Sequence, residues 1–590
     1  MLQLGVLQFP DTTQRSAGLV IAAISVALYA LYRYLLPKPI AGIPYNLAAT
    51  QSLLGDLPTM LKESNGTPLR WMADHCQRHS SPLFQLFITP FSKPIVVVSD
   101  FREAQDILMR RKEFDRSDRS IVLLGGETPE FHLNMKMGKE WKDHRRLLQD
   151  LASPRFLSGV AAPNVYQSAT NLVDVWKQKA RIANGQPFNA EKDLFFATLD
   201  AVLDFGFGDS YPHRSLTPQL ELLMASKEQG GAQRSNGPAA AGTPVDFPVA
   251  RVHESIEATL AVGDLIQDVA NSGVVKLAWW FKGFQPRERK LRNMRTEFIR
   301  QQADLAVDKL QRESDNDSES WVKSAVDLIV QRERNFAKRE GREPVYWSMA
   351  MRDEVSGFVV AGHDTTSTTM CWAVKFLADN PQTQTRLRQD LRDAYADALA
   401  NRRAPTHNEI EKANIPFLDA VIEEILRVGH TVSVLDRQCT QDTVILGHRV
   451  PEGTQVILPT FGPDFTSPPI ETAEALRSET SQLAAKERGI RSWSVDDMEV
   501  FRPERWLKQD EQTGNEAYDA TAGPTFPFGL GPRACFGRKL AYLMLKMLVT
   551  SIIWNYELLP CAEHLSSYER IEGITSKPRQ TYVRLAGVAI

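Results

Sequence analysis

The sequence predicts a mainly α-helical protein with small β-sheets, an α+β fold, preceded by one N-terminal transmembrane helix. Three observations support this fold class. Residues 17–36 form one long apolar run near the N-terminus. Apolar residues then recur at helical spacing through most of the chain, whereas strand signals are few and clearest in residues 444–458.

Length and composition exclude several classes of protein. The chain has 590 residues, of which 43% are hydrophobic and 24% charged, and a formal net charge of −3. These values are typical of a globular protein and not of a disordered, collagen-like or multi-span membrane chain. The charge balance also argues against a nucleic-acid partner, which favours a strongly basic surface. Five widely spaced cysteines exclude a disulfide scaffold and indicate a reducing compartment.

Residues 17–36 are predicted to cross a membrane once. At about 1.5 Å per residue, this helix would span about 30 Å, the thickness of the hydrocarbon layer. Its one charge, Arg33, lies near its end, where tyrosines also gather. Arg33 and Lys38 give a positive bias that places the downstream chain on the cytoplasmic side. A cleaved signal peptide and a buried core helix are the alternatives.

Four parts of the chain follow from this prediction. They are an N-terminal segment (1–16), the transmembrane anchor (17–36), a proline-rich hinge (37–44) and one folded domain (45–590). Within that domain, the polar segment 227–246 is predicted to be a surface loop, and the charged segment 466–494 to be an insertion.

Periodicity and helix-stop signals define the main elements of the domain. A long helix is predicted over Met349–Asp379, since Asn380-Pro381 ends it and begins the next one. Residues 444–458 are predicted to form two strands joined by the turn 451–453. Gly362 lies inside the long helix at a cost of about 1 kcal/mol relative to alanine. This cost suggests that the backbone there must leave room, as for a ligand.

The most specific signal is a loop rich in glycine and proline at residues 526–537, which contains Cys535. Helical spacing begins directly afterwards, over residues 538–554. Cys535 is therefore predicted to precede a helix N-terminus, whose partial positive charge favours a thiolate.

Three kinds of site could use such a thiolate. A zinc site favours several closely spaced Cys or His ligands, which this region does not offer. A cysteine hydrolase would require a histidine base elsewhere in the chain. A single thiolate ligand to haem iron is the third possibility, in which the thiolate favours O–O cleavage.

The loop resembles the haem-binding motif F-x-x-G-x-R-x-C-x-G of the cytochrome P450 family. The matching residues are Phe528, Gly531, Arg533, Cys535 and Gly537. The resemblance implies the cytochrome P450 fold for residues from about 40 to the C-terminus. It also implies haem b, iron protoporphyrin IX, with Cys535 as the thiolate axial ligand and Phe528, Arg533 and Gly537 in the cofactor-binding loop.

Further motifs of the same family follow in the same order. Residues 361–366 resemble the oxygen-binding motif A-G-x-D-T-T, which implies that Thr365 hydrogen-bonds bound oxygen and that Asp364 helps to relay protons. Glu424 and Arg427 resemble the E-x-x-R pair, and Arg505 lies in a segment resembling P-E-R-[FW]. By resemblance, these last three residues form a buried structural network behind the haem.

The resemblance also implies a set of partners for the two haem propionates. Trp141 and Arg145 match a W-x-x-x-R helix, and Arg437 stands where the family places another propionate-binding arginine. Together with Arg533, they would supply three cations and one indole N–H. Burial of two carboxylates favours such charge-assisted partners.

The implied activity is that of a membrane-anchored monooxygenase of the endoplasmic reticulum. It would insert one oxygen atom from O₂ into a lipophilic small molecule, by hydroxylation or epoxidation. An NADPH-dependent cytochrome P450 reductase would supply electrons. Lys142, Arg146, Arg538 and Lys539 either form a basic face on which it docks or are scattered solvated charges. Segments 466–494 and 577–585 are similar to fungal members of secondary metabolism. Alternatives are a reductase-independent haem-thiolate isomerase or dehydratase and a non-catalytic haem-binding protein.

Overall fold

The computed structural model describes residues 11–88, 92–228, 242–312, 321–512 and 514–588. Helices dominate these residues, as the sequence predicts. In the N-terminal half they are α1 (Asp11–Leu35), α2 (Leu57–Glu63), α3 (Pro68–Arg78), α4 (Phe101–Met109), α5 (Asp118–Gly125), α6 (Lys139–Leu148), α7 (Pro154–Phe156), α8 (Ala162–Ala183), α9 (Glu191–Phe207), α10 (Leu216–Glu228), α11 (Glu254–Asn271), α12 (Val275–Phe284) and α13 (Pro286–Arg312).

The C-terminal half adds eight helices among the described residues and most of the strands. The helices are α14 (Ala325–Glu340), α15 (Met349–Asp379), α16 (Pro381–Ala394), α17 (Ala396–Ala400), α18 (His407–Lys412), α19 (Pro416–Gly429), α20 (Glu479–Arg488) and α21 (Arg538–Asn555). The strands in the described parts of the chain are β1 (Leu83–Leu86), β2 (Ile95–Val98), β3 (Phe114–Asp115), β4 (Phe188–Asn189), β5 (Val434–Cys439), β6 (Thr443–Ile445), β7 (His448–Val450), β8 (Gln455–Pro459), β9 (Leu507–Gln509), β10 (Glu516–Tyr518), β11 (Tyr556–Leu559), β12 (Arg570–Glu572), β13 (Ser576–Pro578) and β14 (Tyr582–Gly587).

The largest sheet has five strands in the order β1-β2-β8-β5-β3. Only the β2–β8 pair is parallel, with Val96 opposite Val456; the other pairs are antiparallel. Smaller sheets pair β11-β14-β4, β9 with β10, β12 with β13 and β6 with β7. The fold is therefore helical with small sheets.

Helix α15 passes through the largest core cluster, together with α8, α9, α19 and α21. The Ser348 side chain accepts a hydrogen bond from the Met351 N–H and so caps its start, and Pro381 begins the next helix. Most residues of α15 are buried, so the helix is covered by other elements on most of its faces and does not have a single buried stripe. The bounds Met349–Asp379 are those that the sequence predicts.

The strand prediction for residues 444–458 was wrong in detail. Three strands, not two, lie in this region: β6 and β7 pair with each other, whereas β8 joins the large sheet. The turn 451–453 therefore connects two different sheets. Leu446 and Gly447, both at positive φ, form the tight turn between β6 and β7.

The N-terminal helix and the hinge differ in their bounds from the prediction. Helix α1 begins at Asp11, and its stretch Gly18–Leu35 is long and apolar enough to cross a membrane. None of that stretch is buried against the rest of the protein, so it is not a core helix. Residues 40–44 are not a free hinge, because Ile40 and Ile43 are buried and their backbone groups hydrogen-bond to the Gln85 side chain.

The two predicted surface segments have different outcomes. Most of segment 227–246 lies outside the described residues, and helix α10 extends to Glu228 within it. Segment 466–494 contains helix α20 and is attached to α4 by side-chain contacts. Arg477 in this segment forms a bidentate ion pair with Asp100, at 2.7 and 2.6 Å, and both residues are buried.

Candidate functional site

A cavity of about 1410 Å³ lies between α15, the cysteine loop and the helices α5, α6 and α11. Its walls carry aromatic and aliphatic side chains from all these elements, among them Leu123, Ile266 and Phe358. Pockets for drug-sized ligands measure about 300–1,000 Å³. The cavity is therefore large enough for a flat macrocycle and a second small molecule.

Backbone hydrogen bonds and a glycine shape the cysteine loop. The Cys535 N–H donates to the Phe528 carbonyl oxygen over 2.8 Å, which closes the loop. Gly531 has a φ of +70°, and a Cβ there would lie 2.2 Å from the Leu108 carbonyl oxygen at the end of α4. Only glycine permits this close approach. The loop is thereby pressed against α4.

Cys535 lies at the cavity with an accessible thiol, and Gly537 follows just before α21. A Cβ at Gly537 would lie 3.9 Å from the Cys535 Sγ, an ordinary contact distance. The Phe528 ring lies against Tyr542, with 5.1 Å between ring centroids. The loop residues therefore surround a thiol that faces the cavity and not bulk solvent.

The helix N-terminus does not by itself make Cys535 a thiolate. Burial raises the pKa of the thiol, and the N–H groups of Gly537 and Arg538 and the charge of Arg145 lower it only in part. A bound cation would shift the balance, since a coordinating thiol is deprotonated outright. The helix N-terminus does lower the pKa of Cys535, as predicted, but burial raises it by more.

Two of the predicted propionate partners are cations at the cavity without an acidic partner. Arg437 lies on β5, is 4% exposed, and donates to the Asp436 carbonyl oxygen over 2.7 Å. Burial lowers its pKa to about 10. Arg145 lies on α6 over the rings of Trp141 and Phe536, at 5.6 and 5.1 Å. Neither arginine forms an ion pair with a carboxylate among the described residues, so both fit an anionic ligand in the cavity.

Arg533 also lines the cavity, but its charge already has a partner. Its Nη2 atom donates to the Asp115 Oδ1 over 2.7 Å, and the guanidinium lies 5.0 Å from the Trp141 ring. The distance to Asp115 in sequence, 418 residues, explains why this pair could not be predicted.

The cavity is also lined by basic residues that were not predicted, among them Arg116, Arg119 and His132. The ring Nδ1 of His132 and that of His144 each lie 2.8 Å from a carboxylate oxygen of Glu354, which is fully buried on α15. An acidic residue within a largely apolar helix was a signal for this cluster. Arg116 and Arg119 belong to no sequence motif that would mark them as site residues.

Asp364 and Thr365 both line the cavity from the middle of α15. The Thr365 hydroxyl donates to the Ala361 carbonyl oxygen of its own helix over 2.9 Å. The Asp364 Oδ2 accepts a hydrogen bond of 2.9 Å from the hydroxyl of Thr575, a residue not predicted to belong to the site.

The role expected for Gly362 was wrong. A Cβ at this position would point towards α9 and lie 3.2 Å from a methyl group of Val202. The glycine thus allows two helices to approach closely, and the space it leaves is not for a ligand.

Glu424, Arg427 and Arg505 form one buried network behind the cysteine loop. Arg427 donates to both carboxylate oxygens of Glu424 over 2.8 and 2.7 Å, and the Arg505 Nε donates to Oε1 over 3.0 Å. The Trp506 Nε1 also donates to Glu424, over 2.9 Å. Every charge in this cluster has a hydrogen-bonding partner of opposite sign.

Comparison with known proteins identifies the family. The model of the family "Cytochrome P450" matches residues 60–462 and 493–585. The chain belongs to the cytochrome P450 family. The match leaves out residues 463–492, which overlap the predicted insertion in this cytochrome P450.

Similar curated proteins are fungal cytochrome P450 monooxygenases. TRI13 of Fusarium sporotrichioides is 42% identical and GME11363 of Pestalotiopsis microspora 38% identical. The alignments cover 95% and 98% of this chain and 98% and 99% of those proteins. The Hps1-dma1 cluster monooxygenase cyp3.1 of Dothistroma septosporum is 40% identical over 45% of this chain and 86% of its own length.

Solved structures show the same fold. The haem domain of cytochrome P450DA aligns with a TM-score of 0.65 at 18% identity, over 93% of this chain and 99% of that one. The family and its named monooxygenase relatives show that this cytochrome P450 is an oxidoreductase. Membership of the family implies a haem with a cysteine thiolate ligand, a redox partner and lipophilic substrates.

Proposed function

We propose that this cytochrome P450 is a haem b monooxygenase that inserts one oxygen atom from O₂ into a lipophilic small molecule. One observation carries the proposal. The Cys535 thiol, the Asp364–Thr365 pair and two arginines that form no ion pair within the described part of the chain all line one cavity of about 1410 Å³. The donor set suits haem b, which offers an iron for one thiolate and two carboxylates for cations.

The chain's own residues would hold the cofactor in separate ways. Cys535 would ligate the haem iron through its thiolate, with Phe528, Arg533 and Gly537 shaping its loop. Arg145 and Arg437 would neutralise the two propionates, and the Trp141 indole N–H would add a neutral donor. Arg533, already paired with Asp115, would contribute mainly by holding the loop against the Asp115 strand.

Bound haem would supply the oxygen activation and electron transfer that no side chain of the protein provides. Thr365 and Asp364 would hold and pass protons in the cavity that they line. The apolar walls would exclude water and orient the substrate. The Glu424–Arg427–Arg505 network would act structurally, outside the cavity chemistry.

Electrons would come from an NADPH-dependent cytochrome P450 reductase. Lys142 and Arg146 on α6 and Arg538 and Lys539 at the start of α21 are all exposed. Helix α6 also carries Arg145, and helix α21 begins three residues after Cys535. A basic surface at this position would place an acidic partner close to the haem edge.

Helix α1 would anchor the protein in the endoplasmic reticulum, with residues 45–590 in the cytoplasm. An exposed aromatic surface supports contact with lipid. On α12 the side chains of Trp280, Phe281 and Phe284 are each about 60% exposed. Aromatic residues of this kind favour the interface of a bilayer. The names of the similar fungal enzymes, one of them assigned to a gene cluster, support a role in secondary metabolism.

The decisive experiment replaces the thiolate ligand. We expect purified full-length protein to show the reduced, CO-bound absorption band at about 450 nm that haem-thiolate ligation produces. Cys535→Ala should lose this band entirely. Cys561→Ala is the matched control, since this half-buried thiol lies outside the cavity lining. Persistence of the band in Cys535→Ala would contradict the ligand assignment.

Catalysis is tested by turnover. With reductase, NADPH and a fungal metabolite extract, the protein should produce species heavier by one oxygen atom, in amounts that track NADPH oxidation. Product formation without reductase or NADPH would instead indicate an isomerase or dehydratase. Binding without any product would indicate a haem-binding protein.

A further inference from the structure

A short turn at residues 573–575 connects β12 and β13 and lies directly at the cavity. It belongs to none of the motifs that the sequence offers. Its side chains and backbone nevertheless contact both α15, which carries Asp364, and α11, which borders the cavity on another side.

Three contacts attach the hairpin to successive turns of α15. The Thr575 hydroxyl donates to Asp364 over 2.9 Å and accepts from the Thr368 hydroxyl over 3.3 Å. One turn further along, the Trp372 Nε1 donates to the Ser576 carbonyl oxygen over 2.8 Å. Positions 364, 368 and 372 lie on one helix face because they are four residues apart. The hairpin is therefore fixed along that face.

The hydrogen-bond directions at Thr575 follow from its single hydroxyl proton. Since the hydroxyl accepts from Thr368, its own proton is directed to the Asp364 carboxylate. Among the described residues, Thr575 is the side chain that hydrogen-bonds this carboxylate directly. Lys577 on the same hairpin has its charge matched by Glu191, at 2.6 Å.

The opposite side of the turn contacts α11. The Ile574 N–H donates to the Gln267 Oε1 over 3.1 Å. A Cβ at Gly573 would lie 2.3 Å from the same oxygen, so the turn packs closely against the Gln267 side chain of α11. The turn thus lies between the helix that carries Asp364 and a helix that borders the cavity.

We propose that Thr575 is a positioning residue for Asp364, and that residues 573–575 make this positioning depend on α11. The inference rests on the proposed function. Thr575 keeps its own proton and fixes the carboxylate in one orientation. Each proton that Asp364 delivers into the cavity is replaced from solvent. A molecule that moves α11 changes the contact at Gln267 and, through the turn, the orientation of Asp364.

The test compares three variants in the haem-loaded, full-length protein. Thr575→Val removes the hydroxyl with little change of shape, and Thr575→Ser retains it. Asp364→Asn is the reference for a lost carboxylate. Two readouts are used: the infrared stretching band of CO in the reduced protein, and the H₂O/D₂O isotope effect on NADPH oxidation with reductase and no added substrate.

We expect Thr575→Val to shift the CO band in the same direction as Asp364→Asn. It should also slow NADPH oxidation roughly tenfold, with a larger solvent isotope effect, because proton delivery then limits the rate. Thr575→Ser should restore both readouts. A Thr575→Val protein with an unchanged CO band and isotope effect would overturn the proposal.

Further measurements distinguish a failure of this proposal from a failure of the proposed function. Loss of the reduced CO band at about 450 nm in the wild type would refute the proposed function itself. If only Thr575→Val fails to load haem, Thr575→Ala replaces it, since the smaller side chain fits the same half-buried position. Gln267→Ala should shift the CO band in the same direction but less, and no shift would refute the dependence on α11.

Discussion

Asp364 and Thr365 are adjacent residues whose side chains bond in different directions. Asp364 bonds to another element, the β12–β13 hairpin, whereas Thr365 bonds back to its own helix at Ala361. The Thr365 hydroxyl is therefore free of long-range restraint. It can rotate away from Ala361 towards a ligand in the cavity at the cost of one exposed hydrogen bond.

Removal of this hydroxyl should waste electrons. We expect Thr365→Ala to keep its reduced CO band but to release most of the NADPH-derived electrons as hydrogen peroxide, since a proton donor near the reacting oxygen is lost. The ratio of peroxide to NADPH measures this effect. Thr385→Ala is a matched control, because Thr385 forms the same back-bond to Pro381 on α16 and lies outside the cavity lining. An unchanged ratio in Thr365→Ala would contradict the proton role.

The buried network at Glu424 joins α19 to the segment that carries Arg505. Arg427 also donates to the backbone carbonyl oxygens of Phe465 and Met498, over 2.9 and 2.7 Å. These two residues lie on either side of the predicted insertion, residues 466–494, which overlaps the segment that the family model leaves out. Arg427 thus hydrogen-bonds to the backbone on both sides of the insertion and holds its two ends together.

Arg427→Ala would remove one of the two buried arginines that hydrogen-bond to the Glu424 carboxylate. We expect a loss of roughly 3–5 kcal/mol in the free energy of unfolding. Urea denaturation followed by tryptophan fluorescence measures it. Arg449→Ala removes an ion pair whose arginine side chain is 81% exposed and should cost about 0–1 kcal/mol. Equal losses in the two variants would show that burial does not matter here.

At the scale of elements, the insertion contacts α4, and α4 contacts the cysteine loop. Arg477 and Ser478 bond to Asp100 and Asp106 on the α4 side, and the far end of α4 meets Gly531. Asp100 also caps the α4 N-terminus by accepting from the Glu103 N–H. A change in the insertion can therefore reach the thiol loop through one short helix.

Arg477→Ala should loosen this connection. It leaves Asp100 buried without its bidentate partner, so we expect α4 to be destabilised and the haem to be lost faster. The decay of the reduced CO band during mild heating measures this, and we expect a decay several times faster than in the wild type. Arg579→Ala, which removes an exposed pair with Glu569, should behave as the wild type. Identical decay in Arg477→Ala would show that the insertion does not support the loop.

The sequence predicted elements whose signals are local. The end of helix α15 was predicted correctly because Asn380-Pro381 marks it, and the start of α21 because its apolar spacing begins directly after Gly537. Contacts between distant residues could not be predicted in this way. The Arg533–Asp115 and Thr575–Asp364 bonds depend on the fold as a whole, and β5 carries charged residues that obscure a strand pattern.

At the scale of the whole molecule, the proposed anchor and the body are joined by very little free chain. Helix α1 ends at Leu35, and Ile40 is already buried and bonded to Gln85. Four residues remain between them, which reach about 13 Å when fully extended. With α1 in a bilayer, the start of the body would be held within about 13 Å of the end of the anchor. The protein would then meet a reductase by diffusion in the plane of the membrane. Only a partner whose docking surface lies at the same distance from the lipid could bind it.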